Sequence, residues 1–155
     1  MRHYELLLKE AGEEGVDVIT YNFSSQRIYG LYYNKFIALS NKLKTHTEKA
    51  CVLAEELGHH YTTVGDITDC SNVSNRKQEY RARQWAYDKL IGLRGIIDAY
   101  EHGCTSAYEM AEFLDVTEEF LQEALKTYKS KYGCYTTLDN YIIYFEPSIG
   151  VLEML

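Results

Sequence analysis

Apolar residues follow two rhythms along this chain, one suited to helices and one suited to strands. Residues 3–13 set Leu6, Leu7 and Leu8 in an otherwise charged segment that ends near Gly12 and Gly15, which predicts a helix. Segments 16–23, 28–33 and 36–39 are rich in β-branched and aromatic residues. Ser24-Ser25-Gln26, Gly30 and Asn34-Lys35 punctuate them, so they read as a small antiparallel meander. Thr45-His46-Thr47-Glu48 has the form of a capping box, in which each end residue satisfies a free backbone N–H of the other. It opens a helix to about residue 62, with Ala50, Leu53, Ala54, Leu57 and Tyr61 facing the core. Residues 64–75, with Gly65, Asp66, Asp69, Ser71, Asn72 and Ser74, read as a loop. A second long helix is expected over 76–91, carrying Tyr80, Trp85, Ala86 and Leu90.

The pattern changes after Gly95. Segments 96–101, 106–114 and 117–132 predict three short helices, and 134–137 and 141–146 predict a hairpin around Leu138-Asp139-Asn140. Pro147, the only proline, is expected to end the last strand. The chain therefore reads as α+β: helices packed on a small antiparallel sheet over residues 1–92, and a helical annex closed by a β-hairpin over 93–155, packed on that core. There is no internal repeat.

Composition narrows the field. The 155 residues are enough for one core, or for one core with an annex. A formal charge of −7 argues against a broad nucleic-acid or anionic-membrane footprint. No apolar run reaches the roughly 18 residues of a membrane span. Fifteen tyrosines suit half-buried surfaces with the hydroxyl toward water. Cys51, Cys70, Cys104 and Cys134 form no C-x-x-C pair, and the start of the chain has no signal-peptide pattern. A reducing cytosol is the expectation, with Cys51 and Cys104 as core residues.

The candidate chemistry lies in Ala54-Glu55-Glu56-Leu57-Gly58-His59-His60. Two metal ligands at i and i+4 with a Glu beside the first is the zinc-protease helix arrangement, usually spelled H-E-x-x-H. Here Glu55 and His59 share one face and Glu56 is turned to address water on the same ion. Moving the register by one pairs Glu56 with His60, but places Leu57, which cannot accept a proton, at the base position. A third ligand would come from Glu79 on the following helix, or from Asp66 or Asp69 on the loop. His60 is a candidate transition-state donor, supporting group or alternative ligand. The string alone is weak, because acidic pairs on helices are usually solvated. Its surroundings strengthen it: Ala50, Cys51, Val52, Leu53, Ala54, Leu57 and Gly58 leave little polar face, and charge near a core is costly unless matched. His3, His46 and His102 stand in polar segments and read as surface residues.

The stretches 30–39 (GLYYNKFIAL), 53–61 (LAEELGHHY), Gly65-Asp66-Ile67 and Glu79-x-x-Ala82-x-x-Trp85-Ala86 resemble the ImmA/IrrE family of zincin-like metallopeptidases. The likeness covers most of the chain and is closest to short members from phages and mobile elements of low-GC Gram-positive bacteria. It implies a zincin-like core with metal ligands Glu55, His59 and Glu79, general base Glu56, and Zn2+ or another divalent ion such as Mn2+. It also implies a protease of a helix-turn-helix repressor, holding its peptide against an edge strand, for which 36–39 is the candidate. The departure is Glu55 where the commoner form has His. Two carboxylates and one imidazole leave a neutral Zn2+ complex, a poorer Lewis acid.

Residues 106–121 have the cadence of a helix-turn-helix, with Ala111, Leu114, Val116 and Leu121 as its core. The would-be recognition helix shows Glu118, Glu119, Gln122 and Glu123, which repel phosphate; a structural or protein-docking role fits better than DNA reading. The competing function is a catalytically silent scaffold that regulates a partner by binding.

Overall fold

The structure is a computed structural model that describes residues 2–62 and 72–155, without the side chains of 72–74. The expectations for Asp66, Asp69, Cys70 and Gly65-Asp66-Ile67 lie outside the described residues. The chain is α+β and divides into two compact units, Met1–Ala86 and Tyr87–Leu155. The sequence placed its boundary six residues later, after residue 92.

The first unit opens with α1 (His3–Glu13), which buries Leu7 and Ala11, one turn apart. Gly15, at φ 70°, reverses the chain, and the Val16 N–H returns to the Ala11 carbonyl at 2.8 Å. Three strands follow: β1 (Asp17–Tyr21), β2 (Gly30–Tyr33) and β3 (Phe36–Ser40). Asn34 and Lys35, at φ 45° and 65°, make a two-residue hairpin turn that joins β2 to β3. The three strands do not form the expected antiparallel meander. The sheet order is β1-β3-β2, and β1 runs parallel to β3, with Asp17 opposite Phe36. The connection between β1 and β2 is too long for a tight turn and carries the chain across β3 to its far side. Residues 36–39 are not the edge strand that the resemblance implied. They belong to the central strand, with Ile37 and Leu39 buried, so the edges are β1 and β2.

Helix α2 (His46–Thr62) packs on α1, β2 and β3. The capping box forms as expected. The Glu48 N–H donates to Thr45 Oγ1 at 3.0 Å and the Thr45 N–H donates to Glu48 Oε1 at 3.2 Å. Ala50, Leu53, Ala54 and Leu57 are buried, but Tyr61, expected in the core, is exposed. Its ring stacks on Trp85 at 4.9 Å while its hydroxyl donates to Glu10 at 2.8 Å, a split that a phenol's apolar body and polar tip allow. Helix α3 (Asn72–Leu90) starts four residues before the predicted Arg76, taking in part of the expected loop. His46 is exposed beside Tyr4.

The second unit contains the end of α3, then α4 (Gly92–His102), α5 (Ala107–Leu114) and α6 (Glu118–Tyr132). Ser106 and Thr117 cap α5 and α6 by accepting from the N–H groups of Glu109 and Phe120, each at 3.1 Å. Asp115, at φ 55°, turns the chain between them; Ala111, Leu114, Val116 and Leu121 are buried, the interhelical core the sequence indicated. Tyr128 is fully buried and donates to Asp88 at 2.9 Å. Exposed His102 stacks on Phe113. Cys104, expected in the core, is only half-buried, its thiol on the Glu109 carbonyl; Cys51 is buried. Strands β4 (Tyr135–Leu138), β5 (Tyr141–Tyr144) and β6 (Gly150–Glu153) form an antiparallel sheet. The expected hairpin thus gains a strand, and Pro147 sits between β5 and β6 rather than after the last strand. Four residues opening on a glycine give too short an apolar signal to announce β6.

Candidate active site

The site is assembled by one close helix contact. At Gly58 a Cβ would run into the carbonyl of Ala82, so only glycine lets α2 and α3 approach this closely. The Tyr61–Trp85 stack holds the same pair of helices one turn further along. Glu79 lies one turn before Ala82, and His59 follows Gly58 directly. Their meeting is therefore a consequence of the contact: His59 Nε2 is 3.0 Å from Glu79 Oε1. Glu79 sits two turns inside α3 rather than at its start, and its second oxygen lies 3.9 Å from Arg83.

Glu56 occupies the neighbouring position on α2, against edge strand β2. A Cβ on Gly30 would lie 3.1 Å from Glu56 Cγ, 3.3 Å from its Oε1 and 2.6 Å from Val52 Cγ1. The absence of a side chain on Gly30 is what seats the strand against this carboxyl. Burial pushes the Glu56 carboxyl up from 4.5 to about 7, helped by the negative charges of Glu55 and Glu79 and opposed by His59. Burial alone would pull the His59 imidazole down. The hydrogen bond that His59 donates to Glu79 and the charges of Glu56, Glu79 and Glu55 together outweigh it, so His59 holds its proton above the usual histidine range. The Glu79 carboxyl is lowered, first by its hydrogen bond with His59 and then by the charges of His59 and Arg83, against burial. Perturbed acids and a base gathered in this way mark a functional site more often than a structural one.

Glu55 is half-buried, and its charge acts on both Glu56 and His59. His60 meets β2 and the end of α1. Its Nδ1 is 2.8 Å from the Tyr32 hydroxyl on β2, and its Nε2 is 3.5 Å from Glu14 Oε1 at the end of α1. Gly30 and Tyr32 are the residues that sequence reasoning passed over. Their signal lay in the stretch 30–39, which the resemblance singled out without assigning roles.

Fit to a divalent cation can be tested on the donor set. Three carboxylates around one imidazole carry excess negative charge, which a cation would balance. Two donors bound to one Zn2+ sit roughly 3–3.5 Å apart, given bonds of about 2.0–2.2 Å, and the His59–Glu79 pair matches that spacing. Among the described residues, no group of three or more His, Cys, Asp or Glu is arranged to hold a metal ion. The pair fits such an ion; closing the set needs a further donor brought onto it, and Glu55, one helical turn before His59 on the same face of α2, is the carboxylate the helix offers.

The model of the Peptidase_M78 family, described as the IrrE N-terminal-like domain, matches residues 11–126, more than half of the chain. This chain belongs to the Peptidase_M78 family. No curated protein and no solved structure matches it. The match spans α2 and α3 and every residue of the site. The α+β fold agrees with a zincin-like core, and membership makes the chain a metallopeptidase-like protein that calls for a divalent metal. Among the described residues, no helix is long and apolar enough to cross a membrane.

Proposed function

We propose that this protein is a metal-dependent endopeptidase that cleaves a helix-turn-helix repressor of a phage or mobile element. The observation that carries the reading is the meeting of His59 and Glu79 across α2 and α3, with the buried Glu56 carboxyl on the same helix beside them. Glu55, His59 and Glu79 would hold the ion, Zn2+ or Mn2+. When bound, it would polarise the scissile carbonyl and make water more acidic.

The chain's own residues supply the rest. Glu56 accepts a proton from the attacking water and returns it to the leaving amine. Gly30 lets backbone approach the base. Strand β2 replaces residues 36–39 as the edge that would receive an extended peptide, because β3 already has both neighbours. The exposed face of α6, with Glu118, Glu119, Gln122 and Glu123, supports a protein partner rather than nucleic acid.

The test is co-expression with a helix-turn-helix repressor encoded beside the gene. Repressor fragments should appear with the native chain and vanish with Glu56→Gln. Identical fragment patterns from both would overturn the reading. A second reading, a silent scaffold that regulates a partner by binding, draws on the lack of a three-donor group among the described residues. That reading requires a metal-free protein of normal stability.

A further inference from the structure

The pairing of β2 with α2 places a second polar group beside the proposed base. Gly30 and Tyr32 share the face of β2 that is less exposed than Leu31 and Tyr33. Glu56 and His60 are one turn apart on a single face of α2. The two periodicities match: Gly30 lies against Glu56, and Tyr32 meets His60 at 2.8 Å. The Tyr32 phenol therefore binds the residue one helical turn beyond Glu56, whose Cβ lies roughly 5–6 Å from that of Glu56.

The proton order along this chain of groups follows from their chemistry. The Glu14 carboxylate only accepts, so the His60 Nε2 facing it carries hydrogen. In the neutral ring Nδ1 is then the acceptor, and Tyr32 donates to it, while the phenol oxygen accepts from the Lys35 N–H at 3.3 Å. Tyr32 has one proton and can turn it toward a stronger acceptor. A carbonyl oxygen gaining negative charge during attack beside Glu56 is such an acceptor.

We propose that Tyr32 is a catalytic residue that donates its phenolic hydrogen bond to the oxyanion of the peptide under attack, and that His60, held by Glu14, is the positioning residue that keeps the phenol aimed between turnovers. This rests on the peptidase reading above. The chemistry recognised is a tetrahedral oxyanion on an extended peptide lying along β2. No covalent bond to Tyr32 forms or breaks; one hydrogen bond replaces another.

The experiment uses the full chain supplied with zinc and two probes, a short apolar peptide and the same peptide with a phosphinate in place of one amide. Calorimetry should show the native chain binding the phosphinate more tightly than the peptide. Tyr32→Phe should lose about tenfold or more in phosphinate affinity and keep its peptide affinity within about twofold, as expected when one oxyanion donor is removed. His60→Gln, which keeps an acceptor for the phenol, should lose less, again on the phosphinate alone. It carries the test if Tyr32→Phe fails to fold. Equal losses for both probes, or none, would overturn the role of Tyr32. A native chain that binds both probes alike, or neither, would overturn the peptidase reading itself, a pattern distinct from failure of the Tyr32 assignment.

Discussion

Replacing Glu56 by Gln should stabilise the metal-free protein at alkaline pH, although it removes the proposed base. Glu56 ionises near 4.5 when unfolded and near 7 when folded. Between those values the folded chain holds a proton that the unfolded chain has released, so stability falls as pH rises from about 4.5 and levels off above about 8. Each tenfold step in that equilibrium is worth about 1.36 kcal/mol, which sets an upper bound of about 3 kcal/mol. The side chain keeps some access to water, and its charged form attracts His59, so about 2 kcal/mol is the expected gain for Glu56→Gln at pH 8. Below about pH 4 both proteins carry a neutral side chain here and the gain should disappear. Urea denaturation at pH 4, 6 and 8, with chelator present because a bound cation would favour the carboxylate, measures the difference directly. Parallel stability curves for the two proteins would refute the claim that burial of this carboxyl dominates its chemistry.

Other perturbations test the scaffold around it. Gly58→Ala should drive a methyl group into the Ala82 carbonyl, separate α2 from α3 and cost about 1–3 kcal/mol, read as a lower Tm and a loss of metal affinity. Gly30→Ala should push β2 away from Val52 and Glu56 and cost a similar amount, with cleavage falling more than stability. Glu48→Ala should remove half of the capping box and lower stability by about 1 kcal/mol in chemical denaturation, leaving cleavage unchanged. Tyr128→Phe should break the bond to Asp88 in the second unit and cost about 1 kcal/mol, again without touching cleavage.

The sequence carried those elements whose cause is local. The Thr45–Glu48 capping box, the Asn34-Lys35 turn and the 3.6-residue rhythm of α2 depend on neighbours a few positions apart, and each lies where the pattern put it. The order β1-β3-β2 depends on which strand the chain crosses, which no period in the sequence records. The same limit hid the roles of Gly30 and Tyr32, whose partners Glu56 and His60 lie 26 and 28 residues away. His59 and Glu79 were legible as a pair only through the E-E-L-G-H spelling and the family resemblance. The physical reason for their meeting, a glycine against the Ala82 backbone, needed coordinates. Tyr61 misled because its helical spacing matches the core stripe while its hydroxyl binds Glu10 outside it.

The most direct test is the metal content of purified protein by mass spectrometry, for the native chain and for His59→Ala and Glu79→Ala. The account predicts one divalent ion per native chain and a loss of at least tenfold in occupancy for each variant, with both variants still folded by circular dichroism. A native chain free of metal after zinc supplementation, or variants that keep the ion, would contradict the claim that the crossing of α2 and α3 builds a metallopeptidase centre.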